Sequence, residues 1–134
     1  MRINVFFYGL FMDTVLLHSK GVAPQNQVSA QLQGYGIRIG NRATLIPEAN
    51  KSVHGVLMSL THPEIDLLYG EESLNAYRPE PVIVDTKDGR TVPALCFNLV
   101  ETPAAHERND EYARNLKLIA IQYGLPKEYV DSIG

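Results

Sequence analysis

The stretch Val5-Phe6-Phe7-Tyr8-Gly9-Leu10-Phe11-Met12-Asp13 constrains the fold more than any other. An apolar, aromatic run of strand character breaks at Gly9, and Thr14 to Lys20 then reads as a short helix closed by Gly21. A strand that stops at a glycine just before a helix leaves backbone N–H groups without partners. Those groups and the positive helix end can hold a carboxylate or phosphate. Gly9 has no Cβ and allows a ligand close to the backbone. A plain strand, turn and helix that bind nothing fit the same residues, so the rest of the chain has to decide.

The chain of 134 residues is long enough for one domain with one core, and residues 1–134 are read as a single unit. Twelve basic residues face fifteen acidic ones, a net charge of −3 with no basic run or stripe, which argues against a nucleic-acid partner. A single cysteine, Cys96, allows no internal disulfide and suits a reducing compartment. Neither a signal peptide nor an apolar run of membrane-spanning length is apparent, so the expected location is the cytoplasm, away from any membrane.

Arg2 to Tyr8 reads as a central strand, apolar on both faces. Val22 to Gln27 reads as a loop. Val28 to Ile39 reads as a strand bent at Gly34 and Gly36, the kind of bend that closes a barrel. Ala43 to Ile46 and Val53 to Leu60 are strands on either side of a polar loop, Pro47 to Ser52. Thr61-His62-Pro63-Glu64 starts a helix on which Ile65, Leu68 and Glu72 fall at nearby positions. Pro79 and Pro81 bracket the entry into a strand, Val82 to Asp85. Asp88-Gly89 predicts a type I′ hairpin turn into Thr91 to Leu99. Asn109 or Asp110 caps a long helix with Tyr112, Leu116, Ile119, Ala120 and Tyr123 on one face, and Gly124 ends it. Pro126 begins a last turn. The sum is about six strands with short flanking helices and a C-terminal helix: an α+β chain whose strands close into a small mixed β-barrel.

Few residues carry obvious chemistry. His18, His54, His62 and His106 lack ligand spacing, so no metal is expected. Cys96 sits in the apolar strand segment Ala94-Leu95-Cys96-Phe97 and reads as an inert thiol. The pair Glu71-Glu72 reads either as a solvated helix end or, if aimed into a barrel mouth, as a proton shuttle with a raised pKa.

Taken in order, these pieces resemble the gamma-glutamylcyclotransferase-like family. Tyr8-Gly9-Leu10-Phe11-Met12 matches its strand-and-Tyr-Gly opening, and Val53-His54-Gly55-Val56 its Val-x-Gly-Val strand. Leu68-Tyr69-Gly70-Glu71-Glu72 matches its helix ending in glutamate. Tyr77 enters the next strand, and Tyr112 stands twelve residues before Gly124-Leu125-Pro126-Lys127-Glu128-Tyr129. Leu10 replaces a small hydroxyl residue, and Tyr69 stands where the family often has Asp.

The resemblance implies intramolecular cyclisation of a γ-glutamyl group to 5-oxoproline, with release of an amine or amino acid and no cofactor. The partner is then a small-molecule γ-glutamyl substrate. Glu72, or failing it Glu71, is implied as general acid/base. Tyr8, Gly9, Leu10, Phe11, Tyr77 and Tyr112 are implied around the substrate, with the N–H groups of Gly9 to Phe11 on its α-carboxylate. A non-catalytic binding or structural member of the same fold is the alternative.

Overall fold

The computed structural model describes residues 1–70, 74 and 76–133. Over them the chain forms β1 (Arg2–Phe7), a 3-10 turn (Leu10–Met12), α1 (Thr14–Ser19), β2 (Gln25–Ile39), β3 (Ala43–Thr61), α2 (His62–Tyr69), β4 (Tyr77–Thr86), β5 (Thr91–Leu99), α3 (Asp110–Gln122) and α4 (Lys127–Ser132). The strands close into a barrel in the order β1-β3-β2-β4-β5. β1 is antiparallel to β3 and parallel to β5 through Val5 and Leu95.

Alternation along the strands sorts the apolar side chains into two cores. Phe6, Leu32, Val53, Leu57, Val84, Ala94 and Cys96 fill the barrel. Val5, Phe7, Val56, Met58 and Leu60 face outward and are covered by Met12, Leu17, Ile65, Leu68, Leu116 and Ala120 from the helices. At Gly55 β3 packs tightly against β1: a Cβ there would run into the Phe7 carbonyl oxygen. The glycine of the Val53-His54-Gly55-Val56 segment is thus a packing requirement.

The structure corrects the sequence reading at several places. There are five strands among the described residues, because Ala43–Ile46 and Val53–Leu60 belong to one long strand. Pro47 and Ser52 pair with Tyr35 and Gln33, so the expected polar loop is a bulge in β3 opposite Gly34, itself at φ +83°. Gln25 to Gln27 join β2 instead of a loop, and β4 begins at Tyr77, well before Val82. Its prolines are tolerated by alternation. Thr86 N–H points at the Arg90 carbonyl of the hairpin (2.8 Å), so the nitrogens of Pro79 and Pro81 point away from β5. On that flank the ladder to β2 involves only Asp85 and Thr86.

The β4–β5 turn is not type I′. Gly89 has φ +88° while Asp88 stays at negative φ, and Gly89 N–H closes on Thr86 C=O at 3.0 Å. That is a three-residue loop whose last residue is a left-handed glycine.

Candidate functional site

The turn after β1 is built from its backbone upward. Met12 N–H donates to Gly9 C=O and Asp13 N–H to Leu10 C=O, both at 3.0 Å, which closes the 3-10 turn. The N–H groups at its start have no acceptor inside the turn. One of them, Leu10 N–H, faces the Tyr112 hydroxyl and works against the burial that raises its pKa. That hydroxyl lies so close to Gly9 that a Cβ there would sit 2.5 Å from it. Gly9 has φ −115°, ψ −153°, a conformation open to other residues, so contact with Tyr112 and not backbone strain makes this position glycine.

The start of α1 is not part of this arrangement, contrary to the expectation that the helix end would hold an anion. Asp13 caps it by accepting from Val15 N–H (3.0 Å), and Thr14 N–H donates to the Tyr123 hydroxyl (3.0 Å). The Thr14 and Val15 N–H groups at the start of α1 are thus already engaged.

A cavity of about 290 Å³ opens beside this turn. Tyr8, Gly9, Leu10, Phe11, Tyr77 and Tyr112 all line it, brought together from the end of β1, the turn, the start of β4 and the first turn of α3. Asn109 caps α3 by accepting from Tyr112 N–H (3.0 Å), which fixes where Tyr112 leaves the helix. The Tyr8 hydroxyl donates to the Phe97 carbonyl (2.7 Å) and to Asn98 Oδ1 (3.0 Å), and the Tyr77 hydroxyl to the Ala43 carbonyl (2.6 Å).

Burial raises the pKa of Tyr8, Tyr69, Tyr77 and Tyr112. The neighbouring phenols reinforce it for Tyr8, Tyr69 and Tyr112, while Arg42 opposes it at Tyr77. All four remain neutral phenols near pH 7: they can donate hydrogen bonds or hold position, but not serve as bases.

Several wall residues were not singled out from sequence, among them Phe6, Phe7, Leu16, Lys20, Ala43, Leu74 and Phe97. Tyr69, read only as a departure from a motif, is central. Its ring stacks on Phe97 (centroids 3.9 Å apart, 12° between planes) and meets Phe11 edge-on (5.7 Å, 84°). The signal was available: Ile65, Leu68 and Tyr69 occupy the i, i+3, i+4 positions that put three side chains on one helical face.

Glu71 and Glu72 lie outside the described residues. In sequence they stand between Tyr69 and Leu74, both on the cavity wall. Among the described lining residues none is a carboxylate, and Lys20 is the only charged one.

Elsewhere, Cys96 is fully buried, and desolvation pushes its thiol up to about 12, with a hydrogen bond from Asn98 opposing. It is an inert thiol, as read from its strand. Among the described residues no group of three or more His, Cys, Asp or Glu is placed to hold a metal, and no helix is long and apolar enough to cross a membrane.

Comparison with known proteins gives three kinds of result. The sequence profile of the family described as "Gamma-glutamyl cyclotransferase, AIG2-like" matches residues 5–117. No curated protein sequence matches the chain. Among solved structures, one titled "Gamma-glutamyl cyclotransferase" superposes with a TM-score of 0.83 at 20% identity, covering 100% of this chain and 89% of that one. An uncharacterized protein from Homo sapiens superposes with a TM-score of 0.82 at 21% identity, covering 99% and 88%. The YkqA protein from Bacillus subtilis superposes with a TM-score of 0.82 at 26% identity, covering 97% of this chain and 52% of its own.

Proposed function

The chain belongs to the gamma-glutamyl cyclotransferase, AIG2-like family, and from that premise we propose that it cyclises a γ-glutamyl compound to 5-oxoproline and releases an amine or amino acid. The observation that carries this reading is the convergence of Tyr8, Gly9, Leu10, Phe11, Tyr77 and Tyr112 on one small cavity. Such a cavity is at the lower end of ligand pockets, which run from ~300 to ~1,000 Å³.

In this mechanism the N–H groups at the start of the 3-10 turn hold the substrate's α-carboxylate, because a helix start gathers unpaired donors on one side. Glu72 takes a proton from the α-ammonium group. The freed amine nitrogen attacks the γ-carbonyl carbon of the same molecule, forming the ring C–N bond. The bond to the leaving nitrogen breaks, and Glu72 returns the proton to that nitrogen. The ring nitrogen then loses its second proton through Glu72 to the released amine, which departs as an ammonium, so protons and electron pairs balance within the substrate and one carboxylate. The tyrosines cannot take the base's place, since burial holds them as phenols, and the described wall contributes no carboxylate. That puts the demand on the glutamates between Tyr69 and Leu74, with Glu71 the substitute for Glu72. Ring closure is intramolecular, so holding the reactive conformer supplies much of the rate.

The test is 5-oxoproline release from a panel of γ-glutamyl compounds. Glu72→Gln is expected to lower turnover by ~10²–10⁴-fold while leaving the fold intact. Undiminished turnover would remove Glu72 from the mechanism, and Glu71→Gln would then be tested in its place. A second reading, a non-catalytic member of the same fold, draws on Leu10. Its side chain has no hydroxyl and adds no donor to the turn. Absence of 5-oxoproline from every panel compound, with tight binding of one of them, is the outcome that favours it.

A further inference from the structure

A second cavity, of about 540 Å³, lies beside the first. The two share no wall residue, yet successive residues of the chain face them in turn. Arg42 lines the second and Ala43 the first; Ala76 and Arg78 line the second and Tyr77 the first. That is the alternation of extended chain. The bond from the Tyr77 hydroxyl to the Ala43 carbonyl (2.6 Å) ties these two segments together.

Leu99 to Pro103 and Glu107 form much of the second cavity's wall, and this segment is pinned to the β2–β3 turn. Glu107 accepts from Asn41 N–H (3.1 Å) and from Ala104 N–H (2.8 Å). Arg38 donates to the Ala104 carbonyl (2.6 Å), and Asn109 Nδ2 donates to the Asn41 carbonyl (3.3 Å). Gly40 packs so closely that a Cβ there would lie 2.5 Å from Pro103 Cβ. The wall therefore stands in place beforehand, and little order has to be imposed on binding.

Four side chains bring charge to this cavity: Arg42, Arg78, Glu101 and Glu107. Two are committed. Glu107 is taken up by its N–H donors, and Arg78 donates to the Tyr77 carbonyl (2.9 Å) and makes a further interaction. Arg42 and Glu101 differ. Among the described residues neither side chain has a hydrogen-bond or ion-pair partner, and the two do not pair with each other across the cavity they share. The Arg42 charge is felt by Tyr77, where it opposes the effect of burial, so the guanidinium lies near the start of β4. A cation and an anion that face one cavity and stay apart present both halves of a zwitterion receptor. A guanidinium can bond both oxygens of a carboxylate, and a carboxylate accepts from an ammonium. Apolar surface lies beside them in Ala76, Leu99 and Val100, the last 73% exposed.

We propose that the second cavity binds a free α-amino acid with an apolar side chain, its carboxylate on Arg42, its ammonium on Glu101 and its side chain against Leu99 and Val100. The volume falls within the ~300 to ~1,000 Å³ of ligand pockets. Both charges stand in water, so affinity on the order of millimolar is expected. The site is separate from the cyclisation chemistry and stands or falls without it.

The test is an amide chemical-shift titration of the full chain with L-leucine, leucinamide and 4-methylpentanoate. The three share a side chain; the second lacks the carboxylate and the third the ammonium. Leucine should shift Arg42, Val100 and Glu101 saturably. Each of the other two should bind at least ~10-fold more weakly, the scale of one hydrogen bond to a charged group. Arg42→Met and Glu101→Gln, both at exposed positions, should keep the melting temperature and each lower leucine affinity by a similar factor. Arg42→Met should leave leucinamide binding unchanged, and Glu101→Gln that of 4-methylpentanoate, because each compound already lacks the contact removed. Binding of 4-methylpentanoate as tight as that of leucine would reduce the cavity to a plain anion site and overturn the proposal. So would shifts that never saturate with leucine, or variants that weaken all three compounds equally.

Discussion

At the level of single residues, Gly9 and Tyr112 form the pair on which the site's geometry turns. Tyr112 comes from a helix a hundred residues later in the chain, and its hydroxyl fills the space a Cβ on residue 9 would need. Gly9→Ala should therefore destabilise the protein by ~1–3 kcal/mol, the usual range for overpacking, and displace the 3-10 turn. Removing the hydroxyl should relieve most of this, since the next Tyr112 atom is 3.8 Å from the added Cβ. In a double-mutant cycle read by urea unfolding, Gly9→Ala should cost ~1–2 kcal/mol less in a Tyr112→Phe background than alone. Additive costs would show that Tyr112 does not set the requirement for glycine. The identity of Gly9 was legible in the sequence as a break in a strand, but its reason was not. A contact between residues so far apart leaves no local pattern.

At the level of elements, local signals carried far and long-range pairing did not. The start of α2 was readable because a capping box is a short-range device: Thr61 accepts from Glu64 N–H, and the Glu64 side chain accepts from Thr61 N–H (2.8 Å). The bounds of β5, the bend at Gly34 and the Asn109 cap were readable for the same reason. Pro47 to Ser52 was misread because its residues are polar. They are polar because only the segment's ends, Pro47 and Ser52, pair with β2 while the residues between them bulge toward water, where composition no longer reports a strand.

The sequence also did not show that Glu64 reaches outside its own helix, accepting from Ala23 N–H (2.7 Å) and lying 3.8 Å from Arg2. Glu64 thereby ties the start of α2 to the segment after α1 and to β1. Thr61→Ala should cost ~1 kcal/mol, an ordinary cap. Glu64→Ala should cost more, ~2 kcal/mol, because it also leaves the Ala23 N–H without its acceptor. Equal midpoints for the two variants in chemical denaturation would show that the tie to Ala23 adds nothing.

For the whole molecule, the phenols at the cavity link global stability to alkaline pH. Tyr8 directly follows β1, and Tyr69, Tyr77 and Tyr112 lie on α2, β4 and α3, so the cluster joins the barrel to its helices. Burial is the first cause of each raised pKa, and each phenolate would repel its neighbours; Tyr129, on α4, is raised by burial as well. In the unfolded chain the same groups ionise near pH 10. Below that value both states keep their protons and these tyrosines make stability independent of pH. Above it the unfolded state binds fewer protons than the folded one, so stability falls as pH rises, by up to ~1.4 kcal/mol per pH unit for each tyrosine held protonated. With several such groups the loss is steep, and the barrel should open in one transition. Tyrosinate absorbance followed against pH should accordingly show a sharp step coincident with loss of circular dichroism, not a broad titration centred near 10. Tyr69→Phe should lessen the steepness of that loss, because one proton fewer is at stake. A gradual titration in a protein that keeps its circular dichroism would mean that the cavity phenols meet water freely, and the close packing of Tyr69 on Phe97 and Phe11 would then have to be abandoned.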